Sequence, residues 1–120
     1  MKPKYHFYSN TIYALSGLKA MVKNERSFKI ELFIITPLFI AIWFLPLSSI
    51  EQIILGASLL FILAMECVNS AIEACIDLVS PDFHPLAKVA KDCGSAAVFI
   101  SICTAVLAWG VILFEAVSNA

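Results

Sequence analysis

The sequence predicts an all-α membrane protein: an N-terminal amphipathic helix lying in the membrane interface, then three membrane-spanning helices. Three observations lead there. Of its 120 residues, 61% are hydrophobic and 14% are charged, too apolar for an ordinary soluble domain. The eight Lys and Arg residues are Lys2, Lys4, Lys19, Lys23, Arg26, Lys29, Lys88 and Lys91, with none between Lys29 and Lys88 or beyond Lys91. Long apolar stretches fill the gaps that these cations leave. The length fits one domain, residues 1–120. The net charge of −1 gives no sign of a nucleic-acid partner, and none is expected.

The interfacial helix is expected over about residues 5–26. Ser9, Asn10 and Thr11 are candidate N-caps. Ile12, Leu15, Leu18 and Val22 repeat at helical spacing, with Lys19 and Lys23 on other faces, toward headgroups. A charged junction follows at Asn24 to Glu31. The first span is expected at about 30–48: the 19 residues from Leu32 to Ile50 hold no charge, enough to cross a hydrocarbon core about 30 Å thick. Pro37 is tolerable inside such a helix. Trp43, Phe44 and Pro46 mark its far end.

The second span is expected at about 52–78, apolar in its first half and acidic in its second. Pro81 and Pro85 interrupt the loop after it. The third span is expected at about 92–115, where Cys93 to Phe114 are 22 residues without charge. Gly94, Ser95, Ala96 and Ala97 at its start allow close helix approach. Cys67, Cys75, Cys93 and Cys103 lack metal-type spacing and read as small packing residues. No early apolar core precedes a cleavage site, so no cleavable signal peptide is expected. The placement of the cations puts the N-terminus and the loop at Ser80 to Lys91 in the cytoplasm, and the C-terminus outside.

The acidic half of the second span is where the chemistry is expected. Glu66, Asn69, Glu73 and Asp77 sit at i, i+3, i+7 and i+11, one narrow stripe on a helix. A carboxylate at the bilayer centre costs roughly 2.5–3.5 kcal/mol on insertion scales, so such residues face protein or water and usually mark a site. The plain alternative is a set of acids satisfied by a neighbouring helix, but no Lys or Arg lies at matching depth elsewhere. Glu25 and Glu73 would form a hard oxygen site suited to Mg²⁺, which is usually held by one or two carboxylates plus substrate phosphates. Lys91 could neutralise phosphate charge, and His84 or Asp92 could position a nucleotide. Phosphoryl transfer needs chiefly positioning and charge neutralisation. Glu66 lies about 10 Å deeper than Glu73 along the helix, where a lipid hydroxyl could reach it, and suits a general base. Taken singly, His84 reads as a loop residue, and Lys91 and Asp92 as snorkelling and capping residues.

Together these residues are more specific. ECVNSAIEACIDLVSPDFHPLAKVAKDCGSAAV, starting at Glu66, resembles the signature of the small integral-membrane diacylglycerol kinase family of bacteria: E-x-x-N-[ST]-A-I-E-x-x-x-D, then His, then A-K-D-x-[GA]-[SA]-A-A-V. Upstream, GLKAMVKNERSFKIE resembles that family's charged junction. The resemblance spans nearly the whole chain. It implies an enzyme of the inner membrane that transfers the γ-phosphate of ATP to diacylglycerol with Mg²⁺, working as a homotrimer with active sites shared between subunits. It implies Glu66 as catalytic base and Glu25 and Glu73 as metal ligands. Tyr13, Glu25, Asn69, Glu73, Asp82, Phe83, His84, Lys91 and Asp92 would serve ATP; Glu31, Ser48 and Glu66 would border the lipid. One departure stands out: some members carry an Arg near the N-terminus where this chain has Lys4, Tyr5 and His6.

Two other readings remain. Undecaprenol kinase uses the same scaffold, although the S-A-I-E and G-S-A-A-V wording resembles the diacylglycerol branch. A small proton-coupled transporter would need one deep acid, but no second carboxylate set with Lys91 and Asp92 at the cytoplasmic edge. A purely structural membrane subunit explains the stripe least well.

Overall fold

The computed structural model describes residues 6–120; Lys2, Lys4 and Tyr5, which figured in the charge and motif readings, lie outside them. The described chain is all-helical: α1 (Phe7–Asn24), α2 (Arg26–Ile42), α3 (Ser49–Val79) and α4 (Pro85–Ser118).

A single residue separates α1 from α2. Glu25 is extended (φ −106°, ψ 109°), capping α1 through its N–H to the Met21 carbonyl and opening α2. Met21 and Phe28 on either side of it are buried, which fixes the bend. The rest of α1 is largely exposed. α2 contains Pro37 and ends at Ile42, short of the expected end of the first span. Residues 43–48 form the turn into α3 instead. There Ser48 caps α3: its hydroxyl accepts from the Glu51 N–H, and the Glu51 side chain accepts from the Ser48 N–H, a capping box.

α3 and α4 pack along most of their length and form the spine of the molecule. Ile35 and Ile42 of α2, Leu55, Leu59 and Ile62 of α3 and Ala105 of α4 make the buried core. Their spacings of seven, four and three residues put each set on one helix face. Gly56 lets the Phe39 ring lie against α3, where a Cβ would come to 3.2 Å of Cε2. Trp109 Nε1 donates to the buried Ser58 Oγ at 3.2 Å, tying α4 to α3 within the apolar region.

α3 and α4 are long and apolar enough to cross a membrane, and their most apolar stretches are only 33% and 17% buried. Such an outward apolar surface suits lipid or neighbouring helices, not water. α4 begins at Pro85, well before the expected third span. Proline is favoured in the first turn of a helix, and His84 caps it, its Nδ1 accepting from the Leu86 N–H at 3.1 Å. Charge alone does not end a helix. Lys88, Lys91 and Asp92 are therefore helical residues, and the loop is only 80–84.

Candidate functional site

Because α3 carries the acidic stripe without a break, the site is a ladder along one helix. Glu66 is its deepest rung and is buried, 7% exposed. Across from it, the α2 side chain of Glu31 lies within hydrogen-bonding reach of the Glu66 carboxyl. Glu31 Oε2 is enclosed and meets no protein donor. Sequence reasoning placed Glu31 at the lipid pocket through resemblance only.

One turn toward the loop, Asn69 is half-buried against α4, with Oδ1 enclosed and without a donor. Glu73 follows, half-buried. Asp77 is exposed, and its Oδ1 accepts from Lys91 Nζ on α4 at 2.6 Å. One turn of α4 away, Lys88 Nζ pairs with Asp92 Oδ2 at 2.7 Å. These two pairs, the loop and His84 enclose an open recess of about 280 Å³, lined by Asp77, Asp82, His84, Lys88, Lys91 and Asp92 among others. The loop is pinned by the Ser80 hydroxyl, which donates to the Asp82 carbonyl at 3.0 Å. Phe83 is 80% exposed on this rim.

The structure thus brings Asp82, Phe83, His84, Lys91 and Asp92 to one recess, and adds Lys88 and Asp77, which sequence reasoning left out of the nucleotide set. Their signal was the 14-residue gap between Asp77 and Lys91, which a helix–loop–helix closes. Tyr13 is exposed on α1, away from that lining. Glu25 is half-buried at the α1–α2 bend. Ser48 sits at the far end of α3 with a capping job of its own. Among the described residues no three His, Cys, Asp or Glu side chains gather as a metal-binding group. A pair of carboxylates completed by substrate phosphates is the usual arrangement for Mg²⁺; Glu25 at the α1–α2 bend and Glu73 on α3 are each half-buried carboxylates, the donor type such an ion takes.

Comparison with known proteins agrees with the motif. The prokaryotic diacylglycerol kinase family matches residues 12–113. A diacylglycerol kinase of Haemophilus influenzae is 41% identical over 109 residues, covering 91% of this chain and 92% of that protein. One of Escherichia coli K12 is 38% identical over 104 residues, covering 86% and 84%. One of Synechocystis is 32% identical over 102 residues, covering 84% and 58%.

Proposed function

The chain belongs to the prokaryotic diacylglycerol kinase family and is a kinase acting on diacylglycerol; from that premise we propose how its residues divide the reaction. The observation that carries the reading is the ladder on α3, with Glu66 enclosed at its deep end and a charged recess at its shallow end. The recess takes ATP. Lys91 leaves Asp77 for the phosphates, and His84, Asp82, Phe83 and Asp92 border the nucleotide; Tyr13 of α1, outside this lining, would reach the nucleotide from another copy in an active site shared between subunits. Glu25 and Glu73 hold Mg²⁺, whose charge offsets that of the phosphates when it is bound. Glu66 accepts the proton of the lipid hydroxyl as its oxygen bonds to the γ-phosphorus. The bond from that phosphorus to the bridging oxygen breaks, and ADP leaves. The products are phosphatidic acid and ADP. Glu31 and Ser48 flank the lipid path, Glu31 beside the base.

The wider setting belongs to the same proposal. α2, though only 17 residues, crosses the membrane together with the turn that follows it. The chain sits in the bacterial inner membrane with its N-terminus cytoplasmic, because every cation lies on that side. Copies associate as a homotrimer, since a single chain leaves Glu73 only half-buried and a carboxylate at membrane depth needs protein or water around it. A reporter after Ala120 should read as periplasmic and a tag at Met1 as cytoplasmic; a cytoplasmic C-terminus would remove one span.

The test of function is lipid-dependent ADP release by the detergent-solubilised protein with ATP and Mg²⁺, run in parallel on diacylglycerol and undecaprenol. Phosphatidic acid formation at the faster rate is expected. Faster turnover of undecaprenol would move the substrate, and ADP release independent of either lipid would end the kinase reading.

A further inference from the structure

Asn69 and Gly94 face each other across the seam between α3 and α4. A Cβ built on Gly94 would overlap Asn69 Oδ1 and would come to 3.3 Å of its Cγ, with Ile72 Cδ1 in ordinary contact at 3.8 Å. That oxygen is enclosed and meets no N–H or O–H donor, yet Asn69 as a residue is only half-buried. The open part of Asn69 is therefore not its oxygen. The hydrogen at Gly94 that stands where other residues carry Cβ points at the oxygen, a weak Cα–H···O contact. The opposite amide orientation would set N–H hydrogens against that C–H, so the carbonyl end belongs in the seam.

We propose that Gly94 is a positioning residue whose missing side chain seats the Asn69 carbonyl in the α3–α4 seam, so that Asn69 offers its N–H donors, not its oxygen, to the phosphates of ATP. This rests on the kinase reading above and sharpens it. A cation needs oxygen donors, and the oxygen of Asn69 is already committed. Two N–H donors between Glu66 and Glu73 on the ladder suit phosphate oxygens instead. The overlapping atom is the tip of a short side chain. Gly94→Ala would therefore turn the carboxamide and leave the helices packed.

The experiment compares wild type, Gly94→Ala, Asn69→Ala and the double variant by steady-state kinetics and by thermal unfolding in detergent. Gly94→Ala should raise KM for Mg·ATP about tenfold or more, the scale of one hydrogen bond to a charged group. KM for diacylglycerol should stay within about twofold of wild type, a split that general loosening would not give. The double variant should match Asn69→Ala in both kinetics and stability, because with the carboxamide gone the extra methyl meets nothing it can displace. Losses that multiply in the double variant, or wild-type kinetics for Gly94→Ala, would overturn the proposal. Should Gly94→Ala fail to assemble, the double variant should assemble; if it also fails, Gly94 is small for another reason and the proposal falls. Asn69→Asp keeps an oxygen and loses the donors, so it should lose as much as Asn69→Ala; retained activity would make the oxygen the working atom. Wild-type kinetics for Asn69→Ala would remove Asn69 from the kinase site, while the stability comparison would still decide the seat in the seam.

Discussion

The same two helices, α3 and α4, carry polar groups in two regions that treat them oppositely. In the loop-side recess the charges are exposed and paired, Lys91 with Asp77 and Lys88 with Asp92. Deeper, around Glu66, the polar atoms are enclosed, and Glu31 Oε2 and Asn69 Oδ1 have no donor from the protein. An enclosed polar atom left unpaired costs about 1–3 kcal/mol, whereas an exposed ion pair contributes about 0–1 kcal/mol. The deep groups work against folding and the shallow pairs add little to it. Stability explains neither region, and the contrast in burial fits two jobs: a proton acceptor kept from water and a phosphate handler open to it.

The comparison breaks most sharply at Glu66. Glu66→Gln keeps the shape and the hydrogen bonding but cannot accept the hydroxyl proton. Turnover should fall by about 10²-fold or more, with the KM values for Mg·ATP and lipid little changed, because the lost interaction is made mainly in the transition state. If Glu66 were only a buried acid, the amide would be nearly silent or stabilising. Near-normal turnover of folded, correctly assembled Glu66→Gln would sink the general base.

Glu25→Gln and Glu73→Gln test the boundary between the regions. Both residues are half-buried, between the two extremes. Each change should raise several-fold the Mg²⁺ concentration needed for half-maximal rate while leaving KM for lipid near wild type, since a hard cation needs the charge that the amide lacks. Unchanged Mg²⁺ dependence in both variants would take them out of the metal site.

The deep region was the easier one to read in the sequence. Acids such as Glu66 and Glu73, seven residues apart in an apolar helix, stand out because the membrane penalises them. The recess was only partly legible. Hydropathy marks what a membrane can hold, not where hydrogen bonding stops, so α4 read as starting near Asp92 although Pro85 and His84 start it a turn or two earlier. Without those turns Lys88 has no helix partner, and the pairing of Asp77 with Lys91 cannot be placed. The contact between Glu31 and Glu66 was hidden for a different reason: it depends on how α2 is rotated against α3, which no local pattern reports. Likewise, the S-x-x-E spacing from Ser48 to Glu51 is a capping signal that went unused.

A smaller effect is expected where the shallow pairs are cut. Asp77→Asn frees Lys91 from an exposed partner. Unfolding in detergent should change by less than about 1 kcal/mol, and KM for Mg·ATP should shift only a few-fold, with the shift shrinking as salt screens the pair. A turnover loss comparable to that of Glu66→Gln would show that this region is not the solvent-governed one the comparison makes it.

The smallest effect lies at the far end of α3, where a half-buried acid is held for structure. Glu51 is in the first turn of α3, and hydrogen bonds from the Ser48 N–H, and secondarily its hydroxyl, hold its carboxyl below the usual value of 4.5. A carboxyl whose folded value is depressed stabilises the folded chain above its unfolded value, and loses that contribution as the pH falls through the folded value. Glu51→Gln keeps an acceptor for the Ser48 N–H and removes the titration, so it isolates the charge and its favourable place at a helix N-terminus. Thermal midpoints of wild type and Glu51→Gln in detergent should therefore differ slightly at neutral pH, in favour of wild type. The difference should shrink as the pH falls below 4.5 and vanish once it is below the depressed folded value. Turnover on diacylglycerol should be the same for both, because this end of α3 lies far along the helix from Glu66. A gap in stability that persists in acid would assign the effect to packing, and a gap in turnover would make Glu51, beside Ser48, part of the lipid path.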